Sequence, residues 1–202
     1  MIDKMQVFTF LFLMLGPFKI IVPFAKITMG AEPAIVNKLA IRAIIFSSIS
    51  LLLAGVLGQM ILTRYGIPIP ILGISGGIIL FLVALLNIIH QFGPSPATNE
   101  KAPVPTMNMA ISPLAFPTIV TPYGIAAVIV FLSFCPDLNS KLTVAAIVLA
   151  IMALNLVIML VTRYIFKPLA IILALLGAIL GVVQVALGLL IIYNQGRALL
   201  NL

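Results

Sequence analysis

Lys19 stands between two prolines in the apolar run Leu15-Gly16-Pro17-Phe18-Lys19-Ile20-Ile21-Val22-Pro23. An unpaired ammonium in such a setting is expensive to bury. Three readings of it are open: the stem snorkels to the headgroups as Lys26 does, the ammonium pairs with a substrate carboxylate or other anion, or the amine itself carries a proton. About a hundred residues later Pro113, Pro117 and Pro122 accompany Thr118, Thr121, Tyr123 and Gly124. There, hydroxyls and the N–H groups of a helix start can bind a carboxylate or can repair the proline breaks. Asn155 and Gln184 put amides into two further apolar runs, where each needs either a ligand or a neighbouring helix. The candidate substrate-binding set is Gly16, Pro17, Lys19, Thr118, Thr121, Tyr123, Gly124 and Asn155.

Other chemistry finds no support. The four carboxylates Asp3, Glu32, Glu100 and Asp137 all lie at span ends or in loops, which disfavours a proton relay through a membrane carboxylate. One His and one Cys cannot build a metal site by themselves, and no nucleophile has a base at helical spacing. No metal, no cofactor and no enzyme is expected. His90 reads as a solvated imidazole, and Cys135 as a small apolar residue at a span end. Ser47, Ser48, Ser50 and Ser75 with Gly76-Gly77 read as sites of close helix packing. The net charge of +7 is dispersed at span ends and forms no patch, so no nucleic-acid partner is expected.

The elements that must position these residues are membrane spans. Apolar residues make up 63% of the 202 and charged ones 7%, and apolar stretches of about twenty residues recur. Spans are expected over Val7–Ile27, Ile41–Leu62, Ile67–Ile89, Met109–Phe134, Leu142–Leu160 and Leu169–Tyr193, each long enough for about 30 Å of hydrocarbon. The first is kept as a span, because no small-residue cleavage site follows it. Residues 1–202 form a single membrane domain, with repeat one at 5–90, a Pro-rich linker at 91–107 and repeat two at 108–195. Lys4, Arg64, Lys141 and Arg197 fall on one side, and Lys26, Lys38, Arg42, Lys101, Arg163 and Lys167 on the other. The positive-inside rule puts the larger set in the cytoplasm and both termini outside.

The two halves answer each other. Pro17 and Pro23 correspond to Pro117 and Pro122, Thr63-Arg64-Tyr65 to Thr162-Arg163-Tyr164, and Pro68 and Gly77 to Pro168 and Gly177. Arg64, Tyr65, Arg163 and Tyr164 suit anchoring in the headgroup layer. A duplicated unit of three spans is forced into opposite orientations, and inverted repeats with broken helices are the usual architecture of secondary transporters. Prolines in the first and fourth spans remove helical hydrogen bonds at mid-membrane, so the two broken spans are expected to meet and line a shared site.

Several segments carry a resemblance over nearly the whole chain. Gly73-Ile74-Ser75-Gly76-Gly77-Ile78-Ile79-Leu80-Phe81-Leu82, Pro113-Leu114-Ala115-Phe116-Pro117 and Asn155-Leu156-Val157-Ile158 resemble, in order, motifs of the MarC family of six-span membrane proteins. The family's early D-P-x-G-N-x-P element is altered: Gly16 takes the acidic position, the Gly-Asn pair is absent, and the prolines are one residue further apart. The resemblance implies a transporter fold, similar to exporters of amino acids, with neutral amino acid transport in some members and a family name that implies multidrug resistance.

These readings combine into one expectation. It is an all-α membrane protein of six transmembrane helices, arranged as two inverted three-helix repeats with Pro-broken first and fourth spans, lying multi-pass in the cell (inner) membrane. Transport of a small polar solute, a neutral amino acid first, leads. A non-transporting subunit or assembly partner that kept the fold is the alternative, and a multidrug exporter ranks last, for want of an acidic residue to hold cationic drugs. The expected partners are a small-molecule substrate, the lipid bilayer, and a second copy or another membrane protein.

Overall fold

A computed structural model of the chain describes residues 4–92 and 106–200. These are almost entirely helical, with no strand among the described residues. The helices are α1 (Lys4–Leu15), α2 (Phe18–Thr28), α3 (Pro33–Tyr65), α4 (Ile69–Phe92), a 3₁₀ turn Met107–Ala110, a π-helix Ile111–Ile119, α5 (Pro122–Ser133) and α6 (Leu138–Leu200). Among the described residues five stretches are long and apolar enough to cross a bilayer: Val7–Thr28, Pro33–Tyr65, Ile69–Ile89, Leu138–Thr162 and Gly177–Leu200. The bent pair Met107–Ile119 and Pro122–Ser133, which turns by 64°, makes a sixth if counted as one span. Most of the linker expected at 91–107 lies outside the described residues.

Local signals explain where helices start and stop. Pro33 opens α3 in its first turn, where a missing N–H costs nothing. Gly66 closes it at φ 61°, with its own N–H and that of Ile67 returning to the carbonyls of Thr63 and Leu62. The helix therefore begins eight residues before the expected Ile41, because the apolar run understates a helix whose first turns carry Asn37, Lys38 and Arg42. At the start of α6, the Asp137 carboxylate accepts from the Ser140 backbone N–H at 2.9 Å and from its hydroxyl at 2.8 Å. Those bonds hold its carboxyl below the ordinary value. Pro23 was expected to break the first span and does not; it lies inside α2, forfeiting one helical bond while Phe24 and Ala25 beside it are buried.

The expected loop between the fifth and sixth spans falls within α6, where the local backbone is helical. If those 63 residues were straight, Asn155 and Gln184 would stand about 43 Å apart. Their amides instead donate to carbonyls of Leu15 and Leu13, both at 2.9 Å. The chain must double back between them, giving α6 an N-terminal and a C-terminal arm on the same segment of α1. The Arg163 and Tyr164 side chains of the repeated triplet lie outside the described residues. Of the first copy, Arg64 and Tyr65 are exposed, as anchoring requires.

Large apolar side chains cover the outside as well as the inside, where Leu39 and Leu51 are fully buried alongside small residues. On α3 the exposed face carries Ile45, Ile49, Leu53, Leu57 and Met60, while Ala40, Ala43, Ser47 and Gly55 are buried. Such an apolar outer face is what a lipid solvent permits, because apolar residues gain nothing by leaving hydrocarbon and close backbone approach supplies part of the packing. The C-terminal arm of α6 runs antiparallel to α4 through glycines. A Cβ on Gly77 would stand 3.0 Å from the Gly188 carbonyl, and one on Gly188 would stand 2.8 Å from the Phe81 nitrogen.

Candidate functional site at two helix breaks

The first break follows from one proline. The last four carbonyls of a helix have no intrahelical donor. At the end of α1, Gly16 N–H reaches Phe12 O at 2.7 Å, but Pro17 has no N–H and the chain leaves the helix. The carbonyls of Leu13, Met14 and Leu15 are all taken by side chains. Gln184 Nε2 donates to Leu13 O at 2.9 Å, Lys19 Nζ to Met14 O, and Asn155 Nδ2 to Leu15 O at 2.9 Å while also donating to Ile151 O. Gly16 is buried at this point, and a Cβ there would stand 2.1 Å from Phe12 O. Only glycine fits this backbone.

The second break is built mainly from its own residues. The segment Ile111–Ile119 is not one regular helix: it is interrupted by extended residues at Ser112 (φ −133°, ψ 126°) and Phe116 (φ −123°, ψ 130°), each preceding a cis-proline. Thr118 Oγ1 donates to Pro113 O at 2.8 Å, and Val120 N–H to Ala115 O at 2.8 Å. Thr121 then takes an extended conformation and caps α5, its hydroxyl accepting from Gly124 N–H at 3.2 Å, with Pro122 in the first turn.

Lys19 joins the two breaks. Its Nζ, besides donating to Met14 O, lies 3.4 Å from Ile119 O and 5.3 Å from the centroid of the Tyr123 ring. Leu15 packs against α5 beside it, so that a Cβ on Gly124 would stand 2.5 Å from Leu15 Cδ2. The two broken segments therefore touch, as their repetition in sequence suggested. Of the candidate residues, Gly16, Pro17, Lys19, Tyr123, Gly124 and Asn155 are gathered at this junction, with Thr121 as its cap. Thr118 is half-buried and commits its hydroxyl to Pro113 O. Lys19 does not snorkel, because its ammonium is drawn back to the break.

The Met14 and Ile119 carbonyls are functional groups that sequence reasoning did not name. Their only signal is indirect, in the prolines that deprive nearby carbonyls of donors. Asn155 leaves one group unmatched: its Oδ1 is buried and has no donor among the described residues.

A cavity of about 210 Å³ leads to this junction between α1, α4, α5 and the C-terminal arm of α6. It extends from Phe134 and Asn194 at one end to Met14 and Tyr123 at the other, past Phe10 and Phe131. Its walls are mainly apolar. A larger cavity of about 510 Å³, lined by Lys4, Asp137 and Ser140, shares Phe134 with the first but lies at the starts of α1 and α6.

The chain matches the MarC family of integral membrane proteins over residues 3–199. It belongs to that family. A UPF0056 membrane protein of Methanocaldococcus jannaschii is 28% identical over 146 residues, which cover 71% of each chain. No solved structure gives a significant match. In this MarC-family chain the backbone at Gly16 has no room for a side chain.

Proposed function

We propose that this chain is a secondary transporter of a small polar solute, a neutral amino acid first, working by alternating access around the junction of its two helix breaks. The observation that carries the reading is the single ammonium of Lys19 shared between carbonyls of both breaks. Irregular backbone at membrane depth survives where it is buried in protein or lines a cavity, and broken helices that meet are the usual seat of a transported solute. The apolar cavity ending at Met14 and Tyr123 supports a solute that combines a polar head with a small apolar body. In this reading the halves are inverted repeats, the chain is multi-pass in the cell's inner membrane with both termini outside, and it catalyses no covalent chemistry. Glu32 and Asp137 are exposed at helix ends, so a carboxylate proton relay is not part of the proposal.

A second reading, a non-transporting subunit or assembly partner, draws on Gly16, because the family's acidic position cannot be refilled without moving the backbone. Counterflow of radiolabelled neutral amino acids in liposomes separates the two. Transport predicts saturable counterflow by the purified chain, reduced at least tenfold in Ala127→Phe, which fills the cavity without touching the junction. Inert liposomes together with stoichiometric co-purification of another membrane protein would favour the subunit.

A further inference from the structure

The surroundings of the Lys19 ammonium are uniform in chemistry. An ammonium has three donors and no acceptor. Here two carbonyl oxygens and one aromatic face receive it, and no carboxylate of the described residues is among its partners. Met14 is in the last turn of α1, and Ile119 ends the irregular stretch of backbone that follows the extended Phe116. The C-terminal end of α1 carries a partial negative charge, and the unwound Ile119 carbonyl brings a second oxygen to the same cation. In broken-helix carriers, unwound carbonyls and half-helix C-termini are the groups that hold an exchangeable coupling cation. In this chain the position is already filled, by a charge attached through four methylenes to the start of α2.

We propose that Lys19 is a tethered monovalent cation. Its ammonium stands where an exchangeable Na⁺ would otherwise bridge the two breaks, so the chain needs no coupling Na⁺, and removal of the side chain creates a site for one. The groups that remain are suited to that role. Met14 O and Ile119 O would lose their donor, the Tyr123 face would lose its cation, and the donorless Asn155 Oδ1 lies on the same break. Met14 O and Ile119 O are hard oxygen ligands, which Na⁺ accepts, and methylammonium would restore the lost N–H donors and the ring contact. With its donors engaged in this way, Lys19 acts as the bridge that holds the breaks together, and a substrate carboxylate would have to displace one of these partners to reach it. The consequence for transport rests on the function proposed above; the cation site does not.

The test uses the full chain in lipid nanodiscs at constant ionic strength, with choline chloride replacing NaCl or methylammonium chloride. The buried thiol of Cys135, the single cysteine, reports unfolding through a thiol-reactive dye. Wild type is expected to melt at the same temperature in all three salts and to bind no radioactive Na⁺ saturably. Lys19→Ala is expected to melt lower in choline and to recover in a saturable manner with Na⁺ or methylammonium, since a ligand that binds only the folded state raises its stability. Saturable Na⁺ binding by wild type overturns the proposal. So does a Lys19→Ala protein that melts as wild type does in choline, or that responds alike to all three salts. If Lys19→Ala does not accumulate, the wild-type binding measurement decides alone, and Lys19→Arg, which keeps the charge, is expected to remain folded. Failure of amino acid counterflow would leave each of these outcomes readable, so the two proposals fail separately.

Discussion

The first break draws its hydrogen-bond donors from distant parts of the chain, whereas the second supplies most of its own. At the first, three consecutive carbonyls are satisfied by Gln184, Lys19 and Asn155, two of which come from opposite arms of α6. At the second, Thr118 bonds Pro113, Val120 bonds Ala115 and Thr121 caps Gly124, all within a few residues; Lys19 is the contribution from outside. Both breaks begin with the same chemical event, a proline that cannot donate. They differ in where the missing donor is found. A break repaired locally can form before the bundle packs. One repaired from afar exists only in the assembled fold and reports on whether α6 has docked.

That contrast can be broken by substitution, beginning where the first break has no tolerance. Gly16→Ala places a methyl against Phe12 O and must move the backbone, at about 3 kcal/mol. Thermal unfolding in nanodiscs should show a large fall in melting temperature, and a fall no greater than that of an exposed Ser75→Ala control would mean that the break relaxes freely. Next in size is Asn155→Leu, which leaves the buried Leu15 carbonyl without its donor and should cost about 2 kcal/mol. Because Gln184 serves the same break, Gln184→Leu should be non-additive with it in a double-mutant cycle. Strict additivity would show that the two arms of α6 stabilise the break independently. Smallest is Thr121→Ala at the second break, a lost helix cap worth about 1 kcal/mol. Hydrogen exchange should show that loss confined to the first turn of α5, and a global loss of protection would erase the distinction between the two breaks.

Much of this was legible in advance, for reasons that are local. The membrane class follows from apolar content, the break positions from Gly16-Pro17 and from Pro117 and Pro122, and the closeness of the breaks from their repetition a hundred residues apart. The helix boundaries were less legible. Pro23 resembles a breaker and is absorbed within α2, and Pro168, which the expected spans leave in the loop between them, falls within the helical backbone of α6. A proline removes one hydrogen bond wherever it stands; whether the helix ends there depends on what packs on either side. Asn155 and Gln184 were each recognised as amides needing a partner, yet nothing in their spacing shows that their partners, Leu15 O and Leu13 O, belong to the same helix end.

Residue type by itself therefore determined the solvent this chain folds in, the points at which its helices lose donors, and the presence of a cation at one of them. Those properties belong to single side chains and single peptide groups. Tertiary structure alone decided that the cation faces Met14 O, Ile119 O and the ring of Tyr123, and that two amides from a doubled-back helix meet neighbouring carbonyls. A backbone carbonyl carries no mark of identity in a sequence, and it becomes a binding group only when the fold leaves it without its helical donor and brings another within reach.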